Sequence, residues 1–82
     1  MFTKLIKISS LDDAKSFVNL TTKYDHMKMF LRVDNYEIDA HSIVGVLSIV
    51  DSENSAVFTA DTSDNNKELL KDIEPFLSKV AV

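Results

Sequence analysis

Not one cysteine occurs in this chain of 82 residues, so no disulfide helps to hold it and apolar packing must do so alone. The same absence removes cysteine nucleophiles, thiolate zinc sites and iron–sulfur clusters from consideration. Hydrophobic residues make up 45% of the chain and charged ones 27%, an ordinary globular balance. At this length one core is feasible and a second is not, so residues 1–82 are expected to form a single domain. No apolar run approaches the roughly 18 residues that a membrane span needs. The start, Met1-Phe2-Thr3-Lys4, does not open a secretory signal, so a soluble cytoplasmic protein is the expectation. A formal net charge of −4 argues against nucleic acid or an anionic membrane surface as partner.

Apolar periodicity divides the chain into strands and helices. Phe2 to Ile8 reads as a strand, with Phe2, Ile6 and Ile8 in one parity. Ser10 then stands three residues before Asp13, a weak capping box with Asp12 and Asp13 suited to the first-turn dipole, so a helix begins there. Ala14, Phe17, Val18 and Thr21 give that helix its apolar face, and it should end near Tyr24. Met27 to Val33 alternates cleanly, Asp34-Asn35 suits a two-residue turn in which both residues tolerate positive φ, and Tyr36 to Ala40 completes a hairpin. After a polar stretch from Asp51 to Asn54, Ser55 to Asp61 alternates as a fourth strand, with Ala56, Phe58 and Ala60 on one side. From Thr62 or Ser63 a second long helix is expected, its stripe being Leu69, Leu70, Ile73, Phe76 and Leu77, with a kink or restart at Pro75. One segment resists this procedure. Ser42 to Val50 is short, apolar and β-branched, which on propensity favours a buried strand.

The order strand, helix, hairpin, Ser42-Ile43-Val44-Gly45-Val46-Leu47-Ser48, strand, long helix resembles HPr, the small phosphocarrier family of the bacterial sugar phosphotransferase system. The quoted segment is similar to the family's Ser-Ile-Met-Gly-Val-Met-Ser, with support from Lys23-Tyr24 and from Phe58-Thr59-Ala60. The resemblance implies an α+β open-faced sandwich, a four-stranded antiparallel sheet with three helices on one face. It also makes Ile43 to Ser48 a short helix, against propensity, and that expectation is adopted.

The HPr family carries phosphate on a histidine at the mouth of its first helix, within Gly-[Ile/Leu]-His-Ala-Arg-Pro. Counting back without gaps from Lys23-Tyr24 brings Ser10 to the histidine, Asp12 to the arginine and Asp13 to the proline. A like charge about 5 Å from a phosphoryl group costs roughly 3 kcal/mol at an effective dielectric near 20, and two are present. The resemblance therefore implies a degenerate phosphocarrier site at Ser10, Asp12 and Asp13, whose mouth should be electronegative and bind no phosphate or sulfate. Read without the resemblance, Ser10 is an N-cap and the two acids are solvated charges.

The remaining candidates have plain structural readings beside the functional ones. His26 and His41 are expected as exposed loop residues, a metal site from His41 with Asp39 lacking enough convergent donors. Met27 and Met29 share a strand face with Leu31 and Val33 and belong to the core. By resemblance, Ile43, Val44 and Leu47 contribute to a partner-binding patch beside the first helix; the alternative is that they pack inward. Ser42 aligns with a serine that a dedicated kinase phosphorylates in HPr of many Gram-positive bacteria, and it is equally an N-cap.

These readings imply no enzyme active site, no cofactor and no metal. The favoured function is a non-catalytic HPr-like regulatory or binding module, with protein partners drawn from phosphotransferase-system enzymes, a kinase or a transcription regulator. One alternative is an interaction or oligomerisation domain outside the sugar system. Another is an active phosphocarrier using His26 or His41. The oligomeric state is left open by the sequence.

Overall fold

The computed structural model describes residues 1–50 and 55–78, so the polar stretch expected at 51–54 lies outside the described residues. Strand β1 (Phe2–Ile6) leads to helix α1 (Leu11–Thr22), then β2 (Met29–Val33), β3 (Tyr36–Asp39), α2 (Ile43–Leu47), β4 (Ala56–Ala60), α3 (Lys67–Ile73) and a 3₁₀ turn over Glu74–Phe76. The strands form one antiparallel sheet of four in the order β1-β4-β2-β3. This is the α+β architecture expected, with the helices covering one face.

Side-chain alternation fixes which face that is. Phe2 and Ile6 of β1, Met29 and Leu31 of β2, Ile38 of β3, and Ala56, Phe58 and Ala60 of β4 are buried. Ala14 and Phe17 of α1, Val46 of α2, Leu69 and Ile73 of α3, and Phe76 close over them. Leu5, Phe30 and Val57, of the opposite parity, are exposed on the uncovered face. Four phenylalanines form a chain of edge-to-face contacts through the core. Phe58 meets Phe2 at 6.1 Å and Phe17 at 5.7 Å between ring centroids, and Phe17 meets Phe76 at 5.5 Å.

The connections depart from expectation in instructive ways. β1 stops at Ile6, before Ile8, although Ile8 keeps its buried parity. The two-residue turn falls at Asp34-Asn35 as expected, between the paired Val33 and Tyr36, and of its two residues only Asp34 takes positive φ, at 54°. α3 begins at Lys67 and not at Thr62 or Ser63. Asn66 wins the cap because its side-chain oxygen takes the Leu69 N–H at 3.0 Å while its amide nitrogen donates to the Thr62 hydroxyl at 3.1 Å. Leu70, expected on the core stripe, is exposed. Pro75 behaves as expected: α3 ends at Ile73 and a 3₁₀ turn takes over. The chain then returns to β1, with Lys7 N–H donating to the Phe76 carbonyl at 2.8 Å and Ser78 N–H to that of Leu5 at 2.9 Å.

The propensity reading of Ser42 to Val50 as a strand is overturned, and the short helix implied by the resemblance is found. Two local features explain it. The Ser42 hydroxyl accepts the Gly45 N–H at 3.2 Å, capping the helix. A Cβ on Gly45 would sit 3.3 Å from Cβ of Ile38, tight enough that Ile38 would have to shift by a few tenths of an ångström, so glycine lets α2 lie this close to β3 without crowding. Val46 and Ile49, three apart, then share the buried side.

Candidate functional site

At the mouth of α1, Ser10 is the N-cap: its hydroxyl accepts the Asp13 N–H at 3.1 Å. The return leg of a capping box would reach Ser10 N–H, but Asp13 Oδ2 accepts from Ser9 N–H instead, at 3.2 Å. Asp12 and Asp13 both lie in the first turn, against the positive end of the helix dipole. The mouth therefore carries a hydroxyl already engaged as a cap and two carboxylates. Neither imidazole is near it in sequence or in fold. His26 follows the C-terminal end of α1, and His41 bonds to the Tyr24 carbonyl at that same end, with a helix of 12 residues, about 18 Å long, lying between.

His26 is exposed, as expected, beside Asp25 at 3.6 Å. His41 is not a plain loop residue. Its side chain is only 23% exposed; Nδ1 lies 3.1 Å from Asp39 Oδ1 and Nε2 3.1 Å from the Tyr24 carbonyl. Asp39 also accepts the His41 backbone N–H at 2.9 Å. That backbone bond holds the Asp39 carboxyl below the usual range; partial burial opposes it and the imidazole adds to it. No group of three or more metal-ligating side chains forms among the described residues.

Helix α2 packs on α1 and β3 and turns one arc outward. Val44 is 76% exposed, Leu47 39% and Ile43 38%, while Val46 is fully buried. A helix of five residues cannot bury every side of an apolar sequence, so this arc is left to solvent. Ser42 stands at its entrance, half-buried, with its hydroxyl in the cap.

A third cluster ties the far end of α1 to α3. The Tyr24 hydroxyl donates to Asp72 Oδ2 at 2.6 Å, and Lys23 Nζ reaches the same oxygen at 2.8 Å. These bonds, that of Lys23 first and that of Tyr24 second, hold the Asp72 carboxyl below its usual range against the effect of burial. Burial, then the Asp72 bond, pushes the Tyr24 phenol well up. Periodicity marks Tyr24 only as the end of α1, and a partner 48 residues away leaves no local signal of its bond to Asp72. Replacing Tyr24 by phenylalanine should cost about 1.5–3 kcal/mol at neutral pH, the value of a hydrogen bond to a charged group. Because the Asp72 value is depressed on folding, this contribution is complete above the ordinary carboxylate range and is lost as pH falls through the lowered value. Urea denaturation of wild type and Tyr24→Phe should give a gap at neutral pH that narrows in acid.

No family model matches the chain, and no curated protein matches it. Among solved structures, it is similar to the crystal structure of HPr-C-His from Thermoanaerobacter tengcongensis, at 25% sequence identity and a TM-score of 0.69. The likeness covers 92% of this chain and 89% of that one. No helix among the described residues is long and apolar enough to cross a membrane. The fold is HPr-like: four antiparallel strands in one open sheet under three helices.

Proposed function

We propose that this chain is a non-catalytic binding module of HPr-like fold, docking onto protein partners through α2 and carrying no phosphate on histidine. The observation that supports this most is the chemistry of the α1 mouth. A phosphocarrier needs a free imidazole among unsatisfied N–H groups and a cation. Here Ser10 is engaged as the cap, Asp13 bonds back to Ser9, and Asp12 adds a second negative charge. A phosphoryl group on His41 would face the Asp39 carboxylate and displace a bond to Tyr24, which weighs against the histidine alternative. The partners fitting this reading are phosphotransferase-system enzymes, a kinase or a transcription regulator of sugar metabolism. Ser42 is the residue through which such a regulator would be switched. A phosphate there would set about −1.5 to −2 charge beside Ile43 and Val44 and change partner choice without refolding.

Incubation with phosphoenolpyruvate and the first enzyme of the phosphotransferase system, with an authentic HPr as control, should label the control and leave this chain without acid-labile phosphate. Labelling of His26 or His41 would overturn the reading. Incubation with ATP and an HPr kinase, followed by mass spectrometry, decides the role of Ser42.

A further inference from the structure

Two side chains fasten the corner between β3 and α2 to the C-terminal end of α1. The buried Thr21 hydroxyl reaches the Ala40 carbonyl at 3.0 Å, and also the Val18 carbonyl at 3.0 Å. The second fastening is His41, whose two ring nitrogens both face groups that only accept: the Asp39 carboxylate and the Tyr24 carbonyl. A neutral imidazole has one N–H and can donate to one of them; an imidazolium has two and can donate to both. Of the neutral tautomers, the one protonated at Nδ1 keeps the charge-assisted bond to Asp39. A lone pair at Nε2 then faces the Tyr24 carbonyl, and the link to α1 is the one lost. The residue after His41 is Ser42, the cap of α2.

We propose that His41 is a proton-dependent clasp that sets how firmly α2 and its exposed apolar arc are held against α1. The charged groups around it come from several elements. Asp39 comes from β3, Asp25 and His26 from the segment after α1, and Lys28 from the approach to β2, all lining one cleft with His41. α2 contributes none, and Lys23 of the α1 cap is turned to Asp72. The consequence for docking rests on the reading of α2 as a partner surface; the clasp itself does not.

The test is therefore made on the protein alone, by nuclear magnetic resonance between roughly pH 5 and 8, the interval in which imidazoles change charge. Proton occupancy of the two His41 nitrogens is followed directly as a curve against pH, the clasp requiring a proton on Nε2 to bond the Tyr24 carbonyl. The Ile43 and Val44 methyl resonances should follow the same curve. The protection factor of the Val46 amide, which donates to the Ser42 carbonyl, should fall by about tenfold across it, as loss of one net hydrogen bond implies. His26→Gln should leave this behaviour intact and His41→Gln should abolish it. Methyl resonances that ignore the His41 curve in the His26→Gln protein would overturn the proposal without any His41 variant having to fold. Failure to find a partner would leave this result untouched.

Discussion

Replacing Phe58 by alanine is expected to destabilise the fold by about 3–5 kcal/mol, the cost of removing a buried aromatic ring from a close-packed core. The ring has no solvent exposure and stands at the junction of the aromatic chain, edge-to-face with Phe2 on β1 and Phe17 on α1. β4 lies between β1 and β2, so a cavity there loosens the inner sheet on both sides and the first helix at once. At about 0.05–0.15 kcal/mol per residue, a chain of 82 residues has roughly 4–12 kcal/mol of stability in total. The variant should unfold at a much lower urea concentration with an unchanged slope. Val57→Ala, next to it on the uncovered face, should cost far less, since Val57 is 36% exposed. Equal losses at the two positions would mean that the uncovered face is packed, against the alternation that assigns it.

That alternation is legible in the residues themselves, and it locates all four strands with their ends off by no more than about two residues. Phe2 and Ile6, Met29 and Leu31, and Ala56, Phe58 and Ala60 each repeat at period two, and all point inward. The start of α3 was not legible, because Thr62, Ser63, Asp64, Asn65 and Asn66 are all residue types able to cap a helix. Only tertiary placement, with Leu69 held in the core, selects Asn66. α2 defeated propensity for a related reason. In five residues a helical period can hardly be told from an apolar run, and its decisive feature is a contact between Gly45 and Ile38.

The candidate site divides along the same line. Ser10 as cap and Asp12 and Asp13 as first-turn acids follow from local rules, and the structure places them so. The roles of His41 and Tyr24 depend on partners in other elements. The spacing of His41 from Asp39 is visible in the sequence, yet the bond that ties it to the end of α1 is made to the Tyr24 carbonyl, a backbone group that no side-chain pattern announces. Its 23% side-chain exposure follows from that bond, and an exposed loop was the wrong expectation for it.

Val44→Asp should separate docking from folding. Val44 is 76% exposed at the crest of α2, so a carboxylate there meets water and stability should change by no more than about 0.5 kcal/mol. In a complex that covers the arc, the same carboxylate would be desolvated against an apolar surface without a partner. Binding should then weaken by at least about tenfold, the equivalent of 1.4 kcal/mol. Ile43, Val44 and Leu47 are too few to supply the roughly 800 Å² per side of a standard interface. A partner docking there would therefore also have to cover the polar surface around them, with the three residues as the apolar centre of the contact. Leu70→Asp is the control, an apolar side chain on α3 that is 36% exposed, read for binding only after its folding has been checked by urea denaturation. The binding panel is the first phosphotransferase-system enzyme, an HPr kinase and the sugar-responsive regulators of the host, each titrated by calorimetry against wild type and both variants. Weakening by Val44→Asp with none by Leu70→Asp supports docking through α2. Equal weakening by both, or unchanged affinity in the Val44→Asp protein for a partner that binds wild type, would move the interface elsewhere on the fold.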